Sequence, residues 1–154
     1  MTASVGSVPR TKSLQPGESP GFLLWHATMR WQRLMTATLA PYGITHVQFV
    51  LLASTWWLTD HGGPPRQRDV ADHAGTDPMM TSQVVRALEA KGLLTRASDA
   101  EDARALRLEP TKRGRALALE AIAAVETADR EYFEAVPRDA RPAVLSALRG
   151  LADR

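Results

Sequence analysis

The chain contains no cysteine. That absence excludes disulfides, thiolate catalysis, cysteine-ligated zinc and thiol redox sensing. No apolar run is long enough to cross a bilayer. The amino-terminal stretch carries Arg10 and Lys12 without the apolar core of a signal peptide behind them, so a cytoplasmic location is expected. The histidines at 26, 46, 61 and 73 lack metal-ligand spacing on any one helix. Gly62-Gly63 precedes two prolines rather than the Lys-Ser of a phosphate loop, and no nucleophile elbow occurs. Neither a cofactor nor catalysis is expected. Charge of one sign is also scarce: 19 Lys and Arg against 17 Asp and Glu leave a net +2 on 154 residues. Attraction to nucleic acid must therefore be local.

What the chain does have is a soluble globular composition, 44% hydrophobic and 23% charged, and one dense run of signals between residues 65 and 114. This run reads as helix, tight turn, helix and short basic hairpin, the order of a winged helix-turn-helix that holds one helix in a DNA groove. Asp77 is placed to cap the second helix and Pro78 suits its first position. Gly92 fits the left-handed residue that ends it, with Lys91 near the negative end of the dipole. Helical spacing puts Thr81, Val84, Val85 and Leu88 on one face. Met79, Ser82, Gln83, Arg86 and Ala90 fall on the other. That outer face offers small polar groups, an amide and a guanidinium, a chemistry suited to phosphates and base edges.

The hairpin strands are expected over 94–97 and 105–109, where apolar and polar residues alternate. The tip between them mixes Asp99, Glu101 and Asp102 with Arg104; a divalent-metal cluster is a weak reading of acids placed among arginines. Between Arg86 and Arg115, eight Arg or Lys residues face five acids. Arg66 and Arg68, opening the first helix of the pair, are candidates for phosphate contacts, with solvated surface charge as the competing explanation. Upstream, a helix is expected from about Ser19 to Ala40 and another from Thr45 to about Thr59, then a turn over 60–65 with room for a short strand feeding the wing. The short helix of the pair covers about 67–74. Downstream, a long helix runs from Thr111 to about Ala135, and a last one covers about 138–152.

The terminal helices are amphipathic and flank the DNA module at both ends. Packing against an identical copy would bury their apolar stripes and set two reading helices about a two-fold axis. The expected organisation is a disordered arm over 1–18, a dimerisation helix over 19–44, a DNA-binding lobe over 45–110 and C-terminal dimerisation helices over 111–154. The fold class is mainly α with a small β-hairpin wing.

Three phrases resemble the MarR family of multiple-antibiotic-resistance-type regulators, and the likeness extends over about residues 20–152. They are Thr45-His46-Val47-Gln48-Phe49-Val50-Leu51-Leu52, Leu88-Glu89-Ala90-Lys91-Gly92-Leu93-Leu94, and Asp102-Ala103-Arg104-Ala105-Leu106-Arg107-Leu108 with Thr111-Lys112-Arg113-Gly114 behind it. The resemblance implies a homodimer held by its terminal helices. It also implies that Arg104 is the wing arginine entering the minor groove, oriented by Asp102. A narrow A·T-rich minor groove concentrates negative potential that such an arginine can meet. Where family members often carry Ser-Thr, this chain has Met79-Met80, and Gln83 stands where a basic residue is frequent. Methionine can contact thymine methyl groups and glutamine can pair with adenine, although Met80 also suits a core position.

The candidate DNA-binding residues are thus Arg66, Arg68, Met79, Thr81, Ser82, Gln83, Arg86, Asp102, Arg104 and Arg107. The same resemblance implies a small aromatic or phenolic effector. Trp25, His26, Met29 and Trp56 are the candidates for lining its cleft, apolar with a polar handle. The expected function is a homodimeric, sequence-specific transcriptional regulator, a repressor of a pseudo-palindromic double-stranded operator, released by such a ligand. The alternative is a winged-helix dimer that binds a protein partner without specific DNA readout.

Overall fold

The computed structural model describes residues 15–153. Among them the chain forms six α-helices and one hairpin: α1 (Pro20–Leu39), α2 (His46–Gly62), α3 (Gln67–Ala74), α4 (Pro78–Ala90), β1 (Leu94–Ser98), β2 (Leu106–Pro110), α5 (Lys112–Phe133) and α6 (Arg141–Ala152). This is the winged helix-turn-helix expected from the residue pattern. Most of the expected amino-terminal arm lies outside the described residues; Pro16–Glu18 form a single 3-10 turn.

The helix starts are fixed by local chemistry. Ser19 accepts from the Phe22 amide at the head of α1. Thr45 and Gln48 cap each other reciprocally at the head of α2, which satisfies two amides that the helix cannot. Asp77 accepts from the Met80 amide at 2.8 Å, and Thr111 from the Gly114 amide at 2.9 Å.

At the centre, α2 packs against α1, α3, α4, α5 and β2. Phe49, Leu51, Leu52, Ser54 and Thr55 are all buried along it. Helical spacing places Val47, Val50 and Leu58 on one face with Leu51, yet those three are only half-buried. A helix surrounded on several sides has no single apolar stripe, which is why its periodicity misleads. The Thr55 and Thr59 hydroxyls turn inward to donate to the Leu51 and Thr55 carbonyls, each at 2.7 Å. This helix also outruns its expected end at Thr59, continuing to Gly62. Two contacts hold the extra turn: His61 Nδ1 lies 2.8 Å from the Trp57 carbonyl, and Arg115 reaches Asp60 at 3.0 Å.

Leu51, Leu52, Val70, Val85, Leu88 and Leu108 form the core of the lobe. Each fully buried aliphatic side chain contributes roughly 1.5–3 kcal/mol relative to exposure. The hairpin pairs Leu94 with Pro110 through Ser98 with Leu106. A third segment joins its edge: Arg66 bridges to Arg107, and the Leu108 amide donates to the Pro65 carbonyl at 2.9 Å. The turn at 63–66 thus supplies the short strand that feeds the wing.

Outside the lobe, α5 lies along α1. The Tyr132 hydroxyl donates to the Ala27 carbonyl at 2.9 Å, and the Trp31 indole donates to Asp129 at 2.5 Å. The last helix, α6, begins at Arg141 rather than 138 and buries no residue. Phe22, Leu23 and Leu24 on α1 and Leu145, Leu148 and Leu151 on α6 remain exposed. No helix among the described residues is long and apolar enough to cross a membrane.

Candidate DNA-reading surface

The reading helix is α4. Its inner side buries Thr81, Val85 and Leu88, and its outer side exposes Met79, Gln83, Arg86 and Ala90. Met79 is the most open of these, with 74% of its surface accessible. Ser82 and Val84 are half-buried. Met80 is exposed at 43% rather than sunk in the core.

Both ends of α4 are tied to the scaffold. At its N-terminus, the Thr76 and Thr81 hydroxyls meet at 2.8 Å. At its C-terminus, Gly92 adopts φ 69°, a left-handed turn that a Cβ would strain. The Lys91 ammonium donates to the Gly43 carbonyl at 2.5 Å and to Gln48 Oε1 at 3.1 Å, pinning the end of α4 to the α1–α2 turn. Glu89 receives Arg96 at 2.8 Å, joining α4 to β1.

The wing is organised by Asp99. Its side chain is 1% exposed, and its Oδ2 accepts from Arg66 Nε at 3.0 Å and Arg107 Nε at 2.7 Å. Its Oδ1 accepts the Glu101 amide at 2.8 Å and the Asp102 amide at 3.3 Å. The Glu101 amide, with Arg66 and Arg107, holds the Asp99 carboxyl down to about 2, although burial opposes the shift. The Asp99 hydrogen bond in turn pushes the Arg66 guanidinium above its ordinary value. With its oxygens committed to these donors, the Asp99 carboxylate is not arranged as a metal ligand.

Several candidate residues have internal duties. Thr81 is fully buried, and its hydroxyl donates to the Asp77 carbonyl at 2.8 Å, so the side chain placed among the base-contacting candidates faces the core. Its position on the apolar stripe was the signal that it points inward. Arg66 and Arg107 share Asp99, and Arg107 also donates to the Pro64 carbonyl at 2.7 Å; both serve the root of the wing. Asp102 does not grip the Arg104 guanidinium. Its carboxylate accepts the Arg104 backbone amide at 3.0 Å, so it shapes the turn that carries Arg104. Arg68 is exposed, 3.7 Å from Asp69, and lines one cleft of about 290 Å³ with Arg66, Asp102 and Arg104. Among the described residues the Arg86 and Arg104 guanidinium groups make no hydrogen bond or ion pair.

The aromatic candidates do not gather into one cleft. Trp25 is 60% exposed, His26 stands edge-on to Phe22 at 4.3 Å, and Met29 is half-buried. An open groove of about 710 Å³ lies between α1, α5 and α6, and is lined by Leu24, Trp31, Tyr132 and Leu148 among others. None of the four candidates lines it: α1 turns Trp25, His26 and Met29 to other sides, and Trp56 lies on α2. Trp56 is half-buried, and its indole N–H is buried without an acceptor among the described residues. Close to the groove, His46 packs edge-on against Trp31 at 4.9 Å. Burial pushes the His46 imidazole below its ordinary value, opposed by the nearby Asp129 carboxylate.

Comparison with known proteins gives a consistent result. The MarR family model matches residues 44–106. An HTH-type transcriptional regulator of Bacillus subtilis, YdcH, is 42% identical over 120 residues, covering 78% of this chain and 82% of that protein. The structure of BpsR from Bordetella bronchiseptica, whose DNA binding is regulated by 6-hydroxynicotinic acid, superposes with TM-score 0.82 at 26% identity, covering 92% of this chain and 99% of that one. The transcriptional repressor CouR of Rhodococcus jostii RHA1, bound to a 23-mer DNA duplex, superposes with TM-score 0.78 at 30% identity, covering 92% and 99%.

Proposed function

The chain belongs to the MarR family of transcriptional regulators, and from that premise we propose that it is a homodimeric repressor of a pseudo-palindromic operator. One observation carries the site assignment. While Arg66, Arg96, Arg107, Arg113 and Lys91 are engaged inside the protein, the Arg86 and Arg104 guanidinium groups on the reading helix and the wing tip have no partner among the described residues. Free guanidinium groups on the two elements that enter a duplex suit phosphate and groove contacts.

In this reading Met79, Gln83 and Arg86 face base edges in the major groove, with Ser82 at their margin. Gln83 offers an amide able to pair with adenine, and Met79 an apolar tip for a thymine methyl. Arg68 meets the phosphate backbone, and Arg104 enters the minor groove from a tip shaped by Asp102. A second copy covers the apolar faces of α1 and α6 and the groove between them, which places two reading helices on one duplex.

Release by a small aromatic acid or phenol is the second part of the proposal. It is supported by the Trp56 indole N–H, which has no partner among the described residues and is a buried donor of the kind a carboxylate or phenolic oxygen would satisfy. Such a ligand would act by binding one spacing of the reading helices more tightly than the other.

The test is fluorescence anisotropy with a labelled duplex from upstream of the chain's own gene, repeated over a salt series. Selective binding that weakens steeply with salt is expected, because phosphate contacts release counterions. Binding that is salt-insensitive, or equal for scrambled duplex, would instead favour a protein-interaction role.

A further inference from the structure

An acid in a DNA-facing hairpin is an electrostatic liability, since it repels phosphate. Asp99 is such an acid, yet its side chain is almost wholly buried. Its four contacts reach three separate pieces of chain. Arg66 is the N-cap residue of α3. Arg107 lies on β2. The Glu101 and Asp102 amides belong to the tip. The Asp99 amide also donates to the Ala105 carbonyl at 2.9 Å, which closes the tip around its own carboxylate. Asp102, held by Asp99 through its amide, accepts the Arg104 amide in turn.

We infer that Asp99 is the positioning residue of the wing: one buried carboxylate fixes the hairpin to the start of α3 and sets the tip from which Arg104 projects. The inference rests on the reading of Arg104 as a DNA contact. Asp99 itself touches no DNA; it acts through Arg66, Arg107 and the tip amides. Charge-assisted bonds of this kind are short and directional. An asparagine at 99 would keep one acceptor and present an NH2 group to donors on its other side, so two donors would face each other. The wing would then loosen where it joins α3.

Electrostatics and positioning predict opposite signs for Asp99→Asn. Losing a negative charge near DNA strengthens binding if only charge matters. Losing the clamp weakens it. The expected result, measured by anisotropy with the operator duplex, is binding weaker by about fivefold to a hundredfold, the range for loss of a specific groove contact. Glu101→Gln is the control. It removes a negative charge from the same tip, and its carboxylate makes no bond among the described residues, so it should bind as well as wild type or better. The double variant Asp99→Asn/Arg104→Ala should be no weaker than Arg104→Ala alone, because both remove one contact. Hydrogen exchange at the Glu101 and Asp102 amides should accelerate in Asp99→Asn while the α2 amides stay protected.

Should Asp99→Asn not yield folded protein, Arg107→Lys tests the same clamp at constant charge by trading a planar fork for a point donor; it too should weaken binding. Wild-type or tighter binding by the folded Asp99→Asn protein, or by Arg107→Lys in its place, alongside a weakened Arg104→Ala overturns the inference and leaves the wing reading intact. Wild-type binding by Arg104→Ala overturns the wing reading and this inference with it.

Discussion

Gly114, in the first turn of α5, lies against the Leu93 carbonyl so closely that a Cβ at 114 would sit 1.9 Å from that oxygen. Thr111 fastens the same junction, donating to the Gly92 carbonyl at 2.7 Å. The Thr-x-x-Gly phrase therefore has a mechanical cause: it lets α5 start directly under the end of the reading helix. Gly114→Ala should destabilise the fold by about 1–3 kcal/mol or more, as overpacking against rigid backbone does. Urea denaturation checks this, and a midpoint equal to wild type would show that the junction yields freely.

Arg104→Ala should weaken operator binding by roughly 1–3 kcal/mol, the scale of a lost specific contact, with dimer and fold intact. Binding isotherms read beside thermal melts separate the two effects. Unchanged affinity would remove Arg104 from the interface.

Thr81→Val keeps the shape and deletes a buried hydroxyl bonded to Asp77 and Thr76. The expected cost is roughly 1–2 kcal/mol of stability, from the lost bonds and the donor or acceptor left behind. The operator sequence recovered by binding-site selection should be unchanged. A shifted consensus would return Thr81 to the bases.

His46 supplies a pH dependence. Burial lowers its folded pKa below the unfolded value of 6.5, so below 6.5 the unfolded chain binds more protons than the folded one. Stability is then fully present above 6.5, is lost as pH falls toward the folded pKa, and levels off beneath it. Asp99, held down to about 2 from 3.8, adds a second loss only in strong acid, as pH drops from 3.8 toward 2. Thermal midpoints followed from about pH 8 to pH 5 should fall less in His46→Gln than in wild type. Parallel curves would show that the His46 imidazole contributes nothing.

Leu148 lines the α1–α5–α6 groove and is exposed in the single chain. Leu148→Glu should shift the protein from dimer to monomer in sedimentation equilibrium and weaken operator binding with it, because a buried unpaired carboxylate is costly. A dimer of undiminished affinity would place the interface elsewhere.

Much of the architecture was legible because its signals are local. Asp77-Pro78, Thr45 with Gln48, and Gly92 act within one helical turn, so residue type and spacing suffice to place the ends of α4 and the start of α2. The outer face of α4, with Met79, Gln83 and Arg86, was readable for the same reason. The central helix was less readable: burial on several sides erased the stripe that periodicity relies on, and its last turn is held by Asp60, whose partner Arg115 lies far along the chain. Asp99 looked like one surface acid among others. Only its neighbours reveal it as a clamp, and they come from residues 66, 101, 102 and 107.

The sequence by itself determined the order of elements, the reading helix and the family, because caps, turns and amphipathic spacing depend on neighbours within a few residues. The tertiary structure alone decided which arginines are spent inside the protein, that Asp99 is a buried clamp, and that the aromatic candidates do not share a cleft. Those outcomes depend on which distant segments meet: a guanidinium offered to DNA and one locked to a buried carboxylate are the same letter until the chain closes around them.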